Sequence, residues 1–188
     1  ARLSERTLLW LVEVLRRCEL MGKWPIVVAV VIIALLPKSD GGLRPIGLAP
    51  FMPRLWCREK KHVTTEWEKA NVAAWKQAAR AELAATADFK VGYAQALLDL
   101  VKAFDRIPHW LIVTEAIALG YPLWFIRLSL QAYKLKRVTK IRMVVSKEVQ
   151  AYRGITAGSG TATTEMRLVM IRIILRAIEA HPTVAPSC

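Results

Sequence analysis

The chain has 188 residues, of which 54% are apolar, so it is not disordered and has enough apolar residues for one sizeable core or two small ones. Its 28 Lys and Arg residues outnumber 15 Asp and Glu residues, and the net charge of +13 favours a polyanionic partner, nucleic acid before an acidic membrane surface. The three cysteines lack metal-ligand spacing and are interpreted as ordinary thiols of a reducing compartment.

The chain is predicted to begin with a helix and a strand. Apolar residues at helical spacing predict a helix over residues 4–20, which Gly22 and Pro25 end. The apolar run Ile26–Leu36 predicts a buried strand, because its eleven residues are too few to span a bilayer. It is not a signal peptide, since a charged helical segment precedes it and no small-residue cleavage site follows. We therefore expect neither a signal peptide nor a transmembrane segment.

A hairpin and a second helix follow. The turn signal Ser39–Gly42 and a returning strand over 43–48 complete a hairpin over residues 26–48. A helix is predicted over 64–85, with apolar residues along one face.

The second half is predicted to contain a buried strand over 97–101, three helices and another hairpin. Pro108 and Pro122 suit the first turns of two helices, which Gly120 separates. The remaining elements are a hairpin over 138–152, a loop over 154–160 and a helix over 165–180. This mixture of helices and antiparallel hairpins predicts the α+β class rather than alternating βαβ units.

Two cations flank the tight turn of the first hairpin. Lys38 and Arg44 stand on either side of Asp40-Gly41-Gly42, where both side chains can face one anion. Arg offers phosphate a planar fork and Lys a mobile point charge. A solvated hairpin tip is the alternative, and on charge and spacing alone it is the better one.

The carboxylate inside the predicted strand 97–101 requires an explanation. Asp99 lies in an apolar run, and a buried carboxylate is costly unless it is paired or holds a metal. A metal ion is therefore expected, with the backbone carbonyl of Leu100 as a further oxygen ligand. Phe104 follows five residues after Asp99 and has core packing as its alternative role. Asp105 is interpreted as a turn residue or helix cap.

The loop over 154–160 is rich in glycine and opens the last predicted helix, so its backbone N–H groups can approach a ligand closely. Before it, the stretch Lys134–Lys147 contains six cations and no acid. Arg137, Lys140 and Arg142 are expected to track nucleic-acid phosphates, Lys140 and Arg142 from one strand face. A merely solvated face is an equal alternative.

Three of these segments resemble reverse transcriptases. Pro37–Ile46 is similar to the fingers hairpin of group II intron and non-LTR enzymes, Leu97–Asp105 to their first palm motif, and Arg153–Gly160 to their second. The resemblance implies a fingers–palm fragment of an RNA-directed DNA polymerase from a mobile element such as a retrotransposon. Its regions would be fingers over 1–90, a partial palm over 91–180 and a tail over 181–188.

The resemblance also implies roles for single residues. Asp99 would be the catalytic ligand of Mg²⁺ in a two-metal nucleotidyl transfer, and Leu100 would line the nucleotide site. Among the residues expected to bind the deoxynucleoside triphosphate, Lys38 and Arg44 would hold the phosphates. Phe104 would lie under the sugar and exclude a 2′-hydroxyl.

The glycine-rich loop both follows the family pattern and departs from it. Gly158 and Ser159 would also contact the nucleotide, but Ala157 stands where the family has a glutamine that contacts the nucleotide and template base. The partners implied are an RNA template and a DNA primer, in the nucleus or cytoplasm and without a membrane.

The family's third palm motif, an aromatic-x-Asp-Asp turn, and its thumb are absent from the sequence, in which no aspartate follows Asp105. A fragment of a longer polypeptide is therefore expected, inactive by itself as a nucleotidyltransferase. One alternative is a relic that binds nucleic acid and has lost its chemistry. Another is a structural, membrane-apposed protein, which would leave the hairpin motif and Asp99 unexplained.

Overall fold

The computed structural model describes residues 3–28, 30–39, 41–71, 102–156 and 158–181. Within these ranges it contains seven helices and one four-stranded sheet, which confirms the α+β class. The helices are α1 (Glu5–Met21), α2 (Phe51–Glu59), α3 (Lys61–Asn71), α4 (Ala103–Arg106), α5 (His109–Ala118), α6 (Leu123–Tyr133) and α7 (Ala162–Ala180). The strands are β1 (Val30–Pro37), β2 (Leu43–Leu48), β3 (Lys136–Ile141) and β4 (Val144–Val145).

Helix α1 confirms the first prediction, and its ends follow from local chemistry. The Ser4 hydroxyl accepts a hydrogen bond from the backbone N–H of Thr7 at 3.2 Å, and Gly22 ends the helix in the left-handed conformation, with φ 62°. Strand β1 begins at Val30 rather than at Ile26. The reason is a turn after Pro25, whose carbonyl accepts from the Val28 N–H at 2.8 Å.

The sheet has the strand order β2-β1-β3-β4. Strands β1 and β2 form the predicted antiparallel hairpin, with Leu36 opposite Arg44. Strand β1 also pairs with β3 in parallel, with Ile32 opposite Val138. This pairing joins strands from both predicted regions into one sheet, and the alternation of apolar residues could not predict it because periodicity does not specify partners.

The second hairpin turns earlier than predicted. Strand β3 ends at Ile141, and Arg142 adopts a left-handed conformation with φ 53° in the turn to β4. The prediction missed this turn because it contains neither Gly nor Pro. Beyond β4, Arg137 and Val149 exchange two backbone hydrogen bonds, of 2.8 and 2.9 Å.

The helices also differ in detail from the prediction. Pro108 and Pro122 immediately precede α5 and α6 instead of lying inside their first turns. Helix α2 was not predicted, although Pro53 lies in its first turn, where proline is tolerated. Helix α3 begins three residues before the predicted helix, and the rest of that prediction, over 72–85, lies outside the described residues together with the strand over 97–101.

The core lies among the helices and is rich in aromatic rings. Trp56 of α2 is 1% exposed, and its ring centroid lies 4.5 Å from that of Phe125 in α6. Its indole N–H donates to Oε1 of Glu19 at 2.8 Å, so the polar end of the ring is satisfied. This packing anchors α2 beside the glycine-rich loop, where a Cβ on Gly160 would lie 3.0 Å from Cβ of Cys57. None of the described helices combines the length and apolar character needed to cross a membrane.

Candidate functional site

The tip of the first hairpin places the two predicted cations around one open pocket of about 400 Å³. The turn is closed by two backbone hydrogen bonds, from Lys38 N–H to Gly42 at 2.8 Å and from Gly41 N–H to Lys38 at 3.2 Å. Lys38 and Arg44 are exposed, and the described lining contains no carboxylate. The pocket therefore suits an anion reached from solvent. Its other lining residues are Leu36, Pro37, Ser39 and Ile46.

One end of the glycine-rich loop is bound to the segment that carries Phe104. The Ile155 N–H donates to the Phe104 carbonyl at 2.8 Å, and the Gly154 N–H donates to Ile107 at 2.7 Å. Gly154 has φ 89°, and a Cβ there would lie 2.9 Å from the backbone oxygen of Asp105. Only glycine fits this position, because a side chain would be strained and would also collide with backbone.

The other end of the loop lies against strand β2. Gly158 has φ 97°, and a Cβ there would lie 2.6 Å from the carbonyl oxygen of Gly47 and 3.9 Å from Cγ2 of Ile46. Gly47 is three residues from Arg44, which corresponds to roughly 10 Å along the strand. The loop thus joins the Phe104 segment to the strand that carries Arg44, and touches one residue of the anion pocket.

Two of the predicted nucleotide-binding side chains are engaged with the protein interior. Phe104 is half-buried and packs against the hydrophobic core, as its alternative role anticipated. The Ser159 hydroxyl accepts from the Tyr133 hydroxyl at 3.3 Å, and its backbone N–H donates to Thr156 at 3.0 Å. Their contacts with a nucleotide stay predictions. Asp105 lies inside the four-residue helix α4 and is not its cap.

The predicted phosphate-tracking cations do not share one environment. Arg137 is half-buried, and its Nη2 donates to the Thr156 hydroxyl at 3.2 Å. Burial lowers the pKa of Arg137, and the charge of Asp105 partly opposes this effect. Lys140 is exposed on the opposite face of β3, and exposed Arg142 lies in the turn beyond that strand. The expectation that Lys140 and Arg142 share a strand face is therefore wrong, because the strand ends between them.

A buried carboxylate behind the loop was not anticipated as a site residue. Glu165 of α7 has 0% exposure, and its carboxylate accepts hydrogen bonds from the hydroxyls of Tyr133 and Thr161, the latter at 3.1 Å. Burial raises its pKa to about 7. Burial and the charge of Glu165 together raise the pKa of Cys57 to about 11. The sequence signal was a hydroxyl residue four positions before a glutamate in an otherwise apolar helix.

The predicted metal ligands Asp99 and Leu100 lie outside the described residues. Among the residues that are described, no group of three or more His, Cys, Asp and Glu side chains is placed to hold a metal. The donors that the sequence offers, a carboxylate and a carbonyl, fit Mg²⁺ in kind because this ion prefers oxygen ligands. In number they fall short of a complete site.

Comparison with known proteins adds no assignment, since no protein-family model and no curated protein matches the chain. The resemblance to reverse transcriptases therefore rests on the residues of the three segments alone.

Proposed function

We propose that this chain carries the nucleotide-binding part of an RNA-directed DNA polymerase of the reverse transcriptase type, from a mobile element. The observation that carries the proposal is the pocket that Lys38 and Arg44 share at the hairpin tip. A planar guanidinium and a mobile ammonium around one open space are suited to the oxygens of a triphosphate.

The glycine-rich loop supports the same function. It contacts β2 through Gly158 and the Phe104 segment through Ile155, so three segments with a family resemblance are joined at its two ends. A nucleotide held at Arg44 would extend toward this loop, with Phe104 as the proposed neighbour of its sugar.

Asp99 and the Leu100 carbonyl would hold magnesium in the proposed site. When bound, this ion bridges the attacking hydroxyl and the triphosphate and neutralises the charge that develops during transfer. The chain's own described residues supply phosphate binding by Lys38 and Arg44 and the packing that fixes the loop.

A nucleic-acid-binding relic without chemistry is the second candidate. Two features of the sequence favour it: Ala157 replaces the family's glutamine, and no aspartate follows Asp105. The basic stretch around β3 would retain its affinity for phosphates in such a protein.

Primer extension on an RNA template annealed to a DNA primer, with magnesium and deoxynucleoside triphosphates, separates these functions. The 188-residue chain is expected to give no product, because Asp99 is its only carboxylate in the family pattern. A longer version that supplies an aromatic-x-Asp-Asp turn is expected to extend the primer. Asp99→Asn in that version should abolish synthesis and leave duplex affinity nearly unchanged, since it removes a metal ligand and not a phosphate contact.

Three results would count against the proposal. Robust magnesium-dependent extension by the 188-residue chain would contradict the carboxylate argument. Retained synthesis by the longer Asp99→Asn variant would contradict the site assignment. A longer version that binds the duplex and never extends the primer would favour the relic.

A further inference from the structure

A second open pocket, of about 460 Å³, lies where the start of α5 meets residues 150–153. Its wall carries two aromatic rings, Trp110 and Tyr152, and two cations, Lys134 and Arg153. The described lining contains no carboxylate. No role in nucleotide transfer was assigned above to any of these four residues.

The two rings are unusually accessible for their size. Trp110 is 67% exposed and Tyr152 is 83% exposed, and neither ring pairs with another aromatic within the described ranges. Large aromatic side chains usually bury most of their surface. Two open rings beside two cations therefore form a surface on which a planar, negatively charged ligand can stack.

The pocket is framed by fixed elements. Pro108 and Arg153 form a β-bridge, and the Gln150 side chain donates to the Lys134 carbonyl. His109 is 8% exposed, and its Nε2–H donates to the carbonyl of Gly154 at 2.9 Å. Burial lowers the pKa of His109, and the charges of Lys134 and Arg137 act in the same direction, so the imidazole is neutral and its orientation is set by one hydrogen bond.

We propose that this pocket binds an unpaired nucleotide of a single-stranded nucleic acid, its base stacked on Trp110 or Tyr152 and the neighbouring phosphates held by Lys134 and Arg153. Stacking on aromatic faces beside cations is the usual chemistry of single-strand binding, and a paired base does not offer a free face. The net charge of +13 complements such a ligand. The inference shares with the proposed function only the identity of the partner, nucleic acid.

The test is fluorescence polarisation with a labelled single strand of about ten nucleotides and with the blunt duplex of the same sequence. The double variant Trp110→Ala/Tyr152→Ala should weaken single-strand binding about 5- to 150-fold, the range measured for loss of one stacked base. Trp10→Ala is the matched control, because Trp10 is also 67% exposed but lies on α1, and it should change affinity by less than about twofold. Blunt-duplex affinity should change as little.

Two further variants test each part of the contact. Trp110→Phe/Tyr152→Phe retains two aromatic faces and should restore most of the affinity. Lys134→Gln/Arg153→Gln should reduce the salt dependence of single-strand binding by up to about 1.4, at about 0.7 for each phosphate contact.

The pocket assignment is overturned by unchanged single-strand affinity in the double alanine variant, by an equal loss with the duplex, or by an equal loss in Trp10→Ala. Tighter binding of an acidic peptide than of the oligonucleotide, lost in the same variant, would also overturn it. Titration with a deoxynucleoside triphosphate reports separately on the hairpin site, and pocket variants should leave that affinity unchanged. A wild-type chain that binds the single strand through these residues and binds no triphosphate would defeat the proposed function alone.

Discussion

The buried Glu165 makes a pH-dependent contribution to stability whose sign and size follow from its environment. In the folded chain its pKa is about 7, against an ordinary value of 4.5. The folded state therefore holds the proton more tightly than the unfolded state between these values, and the free energy of unfolding falls as the pH rises through them. At 1.36 kcal/mol for each pH unit, the full loss is about 3 kcal/mol and persists above pH 7.

Glu165→Gln should remove this loss, because the amide does not ionise and its oxygen can still accept from Tyr133 and Thr161. Urea unfolding measured from pH 5 to pH 8 gives the difference in unfolding free energy between variant and wild type. This difference should grow in favour of the variant by about 2–3 kcal/mol over that range. Glu179→Gln, at an exposed position of the same helix, is the control and should show no such trend.

A pH-independent difference for Glu165→Gln would refute this reasoning. It would mean that Glu165 does not gain a proton on folding, so that its hydrogen bonds to Tyr133 and Thr161 compensate for the loss of water around the carboxylate. A trend of equal size in Glu179→Gln would refute the role of burial.

Two other substitution pairs test the loop and the basic strand. Gly158→Ala should lower the free energy of unfolding by about 1–3 kcal/mol more than Gly120→Ala, because both glycines have positive φ but only Gly158 would collide with a β2 carbonyl; equal losses in urea unfolding would contradict the contact. Lys140→Gln/Arg142→Gln should reduce the salt slope of duplex binding by up to about 1.8, whereas Arg137→Gln, whose side chain is bonded to the loop, should leave the slope nearly unchanged. An unchanged slope in the double variant would show that these two cations are merely solvated.

Local signals in the sequence predicted much of the first half of the chain. Helical spacing with Ser4 and Gly22 at its ends predicted α1, and the Gly41-Gly42 turn between two apolar runs predicted the first hairpin. These features depend on neighbouring residues, which a sequence displays directly. Helix α2 was missed because Pro53 was not recognised as a first-turn residue.

Features that depend on distant residues could not be predicted in the same way. The parallel pairing of β1 with β3 and the contact of Gly158 with Gly47 join segments more than a hundred residues apart. The burial of Glu165 was also missed, because a glutamate in a helix is usually solvated unless tertiary packing covers it.

At the candidate site, the sequence predicted which cations flank the hairpin tip and which loop lies near β2. It did not predict that Arg137 is directed to Thr156 or that Ser159 is directed to Tyr133. Strand alternation specifies a face, but which neighbour covers that face is a tertiary property.

The central claim is that the hairpin tip binds a nucleoside triphosphate, and calorimetric titration of the 188-residue chain with thymidine triphosphate and magnesium tests it directly. Lys38→Gln/Arg44→Gln should weaken binding about 10- to 100-fold, at about 1.4–3 kcal/mol for two exposed charge-assisted contacts. Arg58→Gln/Lys69→Gln removes the same two charge types from exposed positions on α2 and α3 and is the control. Inorganic triphosphate should compete for the site and thymidine should not. Equal losses in the two double variants, or none in either, would contradict the claim.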